Sequence, residues 1–336
     1  MALDYASAVR AGTMAAGRLH RQLDTRAFID RQGGNIDVFG AIYSVDLPLL
    51  LRPLKGLLGA YLSDPAHGVL VTTKRPMSIQ RFTAAHELGH FSMRHQPSLD
   101  DESILRRMPT SPEPGNEFQE TEADAFAIAF MMPKWLILAH SARQGWQVND
   151  FRRPNIVYQL SLRIGASYEA TCRTLVRYGL ISQSVVTDLL GTQPRSLKVD
   201  LLNDYRPENY RGDVWLLTER DAGTRIDGSR NDLFVLRLEE HSGGGYLWDL
   251  DQLIASGFAV VRDEREALDG EGIGGPVVRR VTAAPEAAER GRMSIDERRP
   301  WQPAPPIANL TLDFDLTGPE QEGLSRAERR HLLEAA

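Results

Sequence analysis

The chain has one cysteine, Cys172, in 336 residues. It can close no internal disulfide, which points to a reducing compartment. It also lacks an unbroken apolar run of membrane-spanning length. The stretch "VDLPLLLRPLKGLLGAYL" (45–62) is interrupted by two prolines, an arginine and a lysine. The opening "MALDYASAVRAGTMAAGRLH" has no apolar core of the kind a signal peptide needs, so a soluble, cytoplasmic protein with no membrane partner is expected. Positive charge is not in excess: a net charge of −6 and a pI near 5.8 give no field that would gather nucleic acid, which argues against direct DNA binding. No long repeat is present. A composition of 42% hydrophobic and 25% charged residues is that of an ordinary globular protein, long enough for two domains.

What is present is concentrated in "IQRFTAAHELGHFSMRHQ" (79–96). Pro76 stops a preceding strand, Ser78 is placed to cap, and the apolar spacing of Phe82, Ala85 and Gly89 predicts a helix over 79–93. On a helix, His86 and His90 stand one turn apart and can converge on one metal ion, for which Zn2+ is the natural occupant. Glu87, offset by about 100° around the axis, can reach a water near that metal and act as general base. His67 and His95 read as surface histidines.

A catalytic zinc generally has three protein ligands and one open position. The next acidic segment, "NEFQETEADAFAIAFMMP", predicts a helix over 117–132 ended by Pro133 and offers Glu117, Glu120, Glu122 and Asp124. Glu120 and Asp124 share a face with the small Ala123 and Ala127, which would let two helices approach closely. Glu120 is therefore the expected third ligand, and Asp124 the expected acceptor for the outer ring N–H of a metal-bound histidine. Glu122 is expected to point elsewhere.

Arg81-Phe82-Thr83, His86-Glu87-x-x-His90, Glu120-x-x-Ala123-Asp124-x-Phe126-Ala127 and Met132-Pro133 together resemble the ImmA/IrrE metallopeptidase family, over roughly residues 36–181. The resemblance implies a zincin-like endopeptidase of the gluzincin kind, with His86, His90 and Glu120 as ligands and Glu87 as base. The family's known targets are helix-turn-helix transcriptional repressors, cleaved in stress responses or when mobile elements are induced. A protein substrate of that class is expected.

Residues 155–182, "NIVYQLSLRIGASYEATCRTLVRYGLIS", read as helix, turn at Gly165-Ala166 and helix, closed by Gly179. Among the exposed positions of the second helix only Arg173 could read bases, so a helical module packed on the peptidase is expected. Tyr158 or Tyr168 is a candidate oxyanion donor, and the sequence does not choose between them.

Beyond residue 211 the pattern changes to short alternating runs ("DVWLLTE", "LFVLRLEE", "GYLWDL", "GFAVVRD", "PVVRRVTA", "NLTLDFDL"), which predict an all-β sandwich with no helix before 324. Gly245-Tyr246, Gly272-Ile273-Gly274-Gly275 and Arg299-Pro300-Trp301 stand in the order of three loops of the chagasin family of cysteine-protease inhibitors, which this region resembles over about 213–316. The resemblance implies an immunoglobulin-like sandwich whose loops bind a protein ligand. It fails at that family's Asn-Pro-Thr-Thr, replaced here by His241-Ser242-Gly243-Gly244. The expected architecture is α+β and multidomain: a zincin-like domain (1–148), a helix-turn-helix-like segment (149–185), a linker (186–211), an immunoglobulin-like sandwich (212–317) and a tail (318–336).

Overall fold

The computed structural model describes residues 4–63, 67–100, 118–267, 275–302 and 304–334. Its architecture is α+β, with a helical N-terminal part and a β-sheet C-terminal region.

Asp4 caps the first helix, α1 (Tyr5–Gln22), by accepting from the Ser7 amide at 2.7 Å. Asp24 takes a left-handed conformation (φ 47°) between α1 and the next helix, and α2 (Thr25–Gln32) and α3 (Val38–Ser44) follow. Three strands come next, β1 (Leu49–Arg52), β2 (Gly59–Leu62) and β3 (Gly68–Thr72), then α4 (Met77–Met93) and β4 (Ser98–Asp100). The sheet runs β1-β3-β2-β4, with β1 parallel to β3 and the other pairs antiparallel. α4 starts at Met77 after Pro76, and Ser78 caps nothing: the proline's fixed φ already sets the first turn.

Two helices, α5 (Gln119–Met131) and α6 (Lys134–Gln144), meet at Pro133. Residues 119–144 are apolar enough for the length of a membrane span, yet 67% of that apolar window is buried inside the protein. A 3-10 turn leads to α7 (Pro154–Ile164) and α8 (Tyr168–Arg177), with Gly165 (φ 71°) closing α7 and Ser167 capping α8.

The stretch 186–211, expected to be a linker, instead carries most of α9 (Gln183–Leu190) and all of α10 (Pro194–Leu202), which bury Val186, Leu189, Leu197, Leu201 and Leu202. Gly191 ends the first of these two short helices, which Ser182 caps, and Pro194 opens the second at a position where a helix tolerates proline.

The C-terminal region consists of β5 (Val214–Leu217), β6 (Arg225–Asp227), β7 (Leu233–Glu240), β8 (Leu247–Trp248), α11 (Leu250–Ala255), β9 (Phe258–Ala267), β10 (Val277–Pro285), β11 (Arg290–Arg298) and β12 (Ala308–Asp315). They form two four-stranded sheets, β5-β7-β10-β9 and β6-β12-β11-β8. Trp215, Phe234, Leu236 and Phe258 from the first pack with Ile226, Met293, Ile295, Leu310 and Phe314 from the second in one core. α11 was not expected; Asp249 initiates it by accepting from the Asp251 amide. Strand β11 was also missed, because Arg290, Arg292, Asp296, Glu297 and Arg298 mask its apolar alternation.

The segment expected to be a tail folds back onto the N-terminal part. Leu51 and Gly323 exchange backbone hydrogen bonds, Gln80 is bonded both ways to the backbone of Glu320, and α12 (Arg326–Glu334) stacks His331 on Tyr43. The two halves are thus joined along several lines.

Candidate metal centre

The close crossing of α4 and α5 builds the centre. At Gly89, between the two histidines, an added Cβ would lie 3.2 Å from the Ala123 backbone, so the pair of small residues lets the helices meet. His86, Glu87 and His90 are completely buried, while Glu120 keeps about a quarter of its side chain in contact with solvent.

His86 Nε2 lies 2.9 Å from His90 Nε2 and 3.2 Å from Glu120 Oε2, and His90 Nε2 lies 3.6 Å from Glu120 Oε1. One ligand atom from each of the three residues therefore falls within 4.8 Å of the others. Metal–ligand distances of about 2.0–2.2 Å would put neighbouring corners of a tetrahedron ~3.3–3.5 Å apart, so this donor set fits zinc. Burial opposes ionisation of Glu120, but contact with both imidazoles holds its carboxyl well below the usual range.

The outer ring nitrogens are also placed. His86 Nδ1 stands 2.9 Å from Asp124 Oδ1, in contact although without the alignment of a full hydrogen bond. His90 Nδ1 is 3.1 Å from His95 Nδ1, and His95 Nε2 is 2.8 Å from Glu122 Oε2. Two readings are corrected here: His95 is not a surface residue, and Glu122 does not point away from the site. Arg94 ends α4 in a left-handed conformation (φ 58°), and the His95 amide donates to the His90 carbonyl at 3.0 Å, which swings the imidazole back under the helix. Sequence periodicity stops at the helix end and gives no sign of this return. Burial pushes the His95 imidazole down to about 4, so it is neutral near pH 7.

Glu87 sits beneath β2, where Gly59 has no side chain; an added Cβ would lie 2.5 Å from Glu87 Oε1 and also run into Thr83. Tyr61, two residues on, lays its ring parallel to that of His90. Tyr61 and His95 also line an open cleft of about 890 Å3, with His67, Phe91, Arg18 and Arg94 on its walls.

The candidate oxyanion donors are not available. Tyr158 donates to Asp213 at 2.9 Å and accepts from the Val214 amide, and Tyr168 donates to the Leu189 carbonyl at 3.0 Å. Both hydroxyls tie helices to neighbouring structure, and burial pushes both up. The arginines of the helix-turn-helix-like segment are engaged as well: Arg163 is buried on Asp221, Arg173 pairs with Glu169, and Arg177 reaches Thr13.

In the C-terminal region the first and third loops meet. Trp301 packs over Gly245, Arg299 lies 4.5 Å above the Tyr246 ring and donates to the Gly244 carbonyl, and Trp301 remains 70% exposed beside Pro300. Gly275 precedes β10, while Gly272 and Gly274 lie outside the described residues.

Residues 54–176 match the Peptidase_M78 family, IrrE N-terminal-like domain, a family of metallopeptidase type. No curated protein matches the chain. Among solved structures, the cysteine protease inhibitor EhICP2 from Entamoeba histolytica is similar over the C-terminal region, with 22% identity, 32% of this chain and 99% of that chain covered, and a TM-score of 0.28. Amebosin is similar at 22% identity, covering 31% of this chain and 96% of that one, with a TM-score of 0.26.

Proposed function

We propose that this protein is a cytoplasmic zinc-dependent endopeptidase that cleaves a regulator of the helix-turn-helix repressor class, with the C-terminal region recruiting that substrate or a second regulator. The observation that carries the reading is the convergence of His86, His90 and Glu120 at tetrahedral spacing, with the buried Glu87 carboxylate beside them. Zinc, when bound, supplies Lewis acidity that polarises the scissile carbonyl and makes water more acidic. Glu87 takes a proton from the attacking water and delivers it to the leaving amine, and its burial keeps bulk water from competing for that proton. The cleft beside His95 and Tyr61 is large enough to hold a few residues of an extended peptide.

Purified protein should hold about one zinc per chain. Glu87→Gln should keep that zinc and lose cleavage by a factor of at least ~10². A proteome comparison between cells carrying wild type and cells carrying Glu87→Gln identifies the substrate. Metal analysis that finds no zinc, or a Glu87→Gln variant that still cleaves, overturns the reading.

A second reading follows from the exposed Trp301 beside the stacked Arg299 and Tyr246. It makes the C-terminal region an immunoglobulin-like, chagasin-type sandwich that binds a protein ligand, a cysteine protease among the candidates. Trp301→Ala should then weaken partner binding by about 2 kcal/mol or more. Papain that stays fully active in a large excess of the protein would count against inhibition.

A further inference from the structure

The contacts of His95 and Glu122 fix a set of protons. An ionised carboxylate only accepts, so the 2.8 Å contact between Glu122 Oε2 and His95 Nε2 requires the proton on His95 Nε2. With His95 protonated on Nε2 alone, its Nδ1 offers a lone pair, and the 3.1 Å contact with His90 Nδ1 is then made by a proton on His90 Nδ1. His90 Nε2, the atom that faces His86 and Glu120, is then left with its lone pair. The backbone supports the arrangement: Arg94 holds a left-handed conformation that a side chain disfavours, and that turn brings His95 back onto His90.

We infer that His95 and Glu122 form a positioning relay, absent from the ligand set itself, that locks His90 in the tautomer and ring orientation that present Nε2 to a metal. This rests on the metal-centre reading above. His95 and Glu122 act through His90 and touch neither metal nor substrate. The centre thus has two outer supports of different kinds: Asp124 directly on His86, and Glu122 through an intervening imidazole on His90.

The test is Zn2+ affinity of the full chain by competition with a chromogenic chelator, with Co2+ absorption spectra as a second readout. His95→Leu, which removes the acceptor, should weaken Zn2+ binding about 10- to 100-fold and alter the Co2+ bands. His95→Gln, whose carbonyl can accept from His90 while its amide donates to Glu122, should restore most of the affinity and a near wild-type spectrum. Glu122→Ala should cost about tenfold; its carboxylate lies nearer the surface, so it serves if circular dichroism shows His95→Leu to be unfolded. The relay is wrong if His95→Leu, or Glu122→Ala in its place, binds Zn2+ as tightly as wild type with an unchanged Co2+ spectrum, or if Gln is no better than Leu at position 95. Wild type that binds no Zn2+ would overturn the metal centre and the relay with it, an outcome distinct from the others.

Discussion

Glu87 depends on a neighbour that has no side chain. Gly59 lies against the carboxylate so closely that one added methyl would meet Oε1 and Thr83 together, both fully buried. Gly59→Ala should therefore leave zinc content unchanged, because it touches no ligand, while lowering cleavage about 10²-fold through displacement of the base. Metal analysis beside a cleavage assay checks both halves. His140 supports the fold in a different way. It is buried with Nε2 donating to the Gly34 carbonyl at 2.9 Å, and burial together with Arg163 and Arg143 pushes its imidazole down to about 4. The unfolded chain takes up that proton near pH 6.5, whereas the folded chain resists until about pH 4. Stability from this group is full above pH 6.5 and is lost as pH falls through the window to 4, by on the order of 3 kcal/mol. His140→Gln can still donate to Gly34 and should flatten that part of the profile in denaturant titrations at several pH values.

Among the elements, α5 is held from both sides by backbone proximity. α4 approaches it at Gly89, and α1 approaches it at Gly12, where an added Cβ would strike the Glu122 carbonyl and the Phe126 amide. Ala8, Ala15 and Ala16 continue the small-residue stripe of α1 along the same face. The N-terminal helix is thus the back wall of the helix that carries Glu120, Glu122 and Asp124. Gly12→Leu should force α1 and α5 apart, costing about 1–3 kcal/mol of stability. It should also weaken zinc binding, although residue 12 is far in sequence from His86, His90 and Glu120. A thermal melt of the metal-free protein and a chelator titration separate the two effects.

At the scale of the whole molecule, the joint between the halves is polar and shared out over several elements. Gln159, on α7, donates to the Val214 carbonyl and accepts from the Leu216 amide, both at 2.8 Å, so one side chain pairs with edge strand β5 as a neighbouring strand would. Arg163 and Gln144 converge on Asp221, and Arg81, on α4, reaches Asp227 on β6 at 3.2 Å. Arg81 is buried with the cations Arg225 and Arg326 nearby, so removing Asp227, the carboxylate in contact with it, leaves Asp37 as its anionic neighbour. Asp227→Ala should destabilise the protein by about 2–3 kcal/mol, below the ~3–5 kcal/mol of a fully buried pair because Asp227 keeps some solvent contact. Because the loss falls at the joint, calorimetry should show it in the unfolding of both halves, and a melt that affects the C-terminal region alone would contradict this.

The sequence by itself determined which residues make up the candidate metal centre. Residues four apart on one helix must share a face, so His86, His90 and their neighbour Glu87 were legible from spacing alone, as were the turn at Gly165 and the change to short strands after residue 211. Glu120 and Asp124 were legible as well, because periodicity puts them on the face that carries the small alanines. What only the tertiary structure decided lies where the chain leaves periodic structure or meets a distant segment. The left-handed turn at Arg94 brings His95 to His90 across a helix end. The buried hydroxyls of Tyr158 and Tyr168 are claimed by Asp213 and Leu189. Glu320 and Gly323, read as part of a tail, complete hydrogen bonds with Gln80 and Leu51. Periodicity reports which face of an element is apolar; it carries no record of which remote backbone or side chain that face will meet, and those meetings set the outer contacts of the metal centre and the joint between the halves.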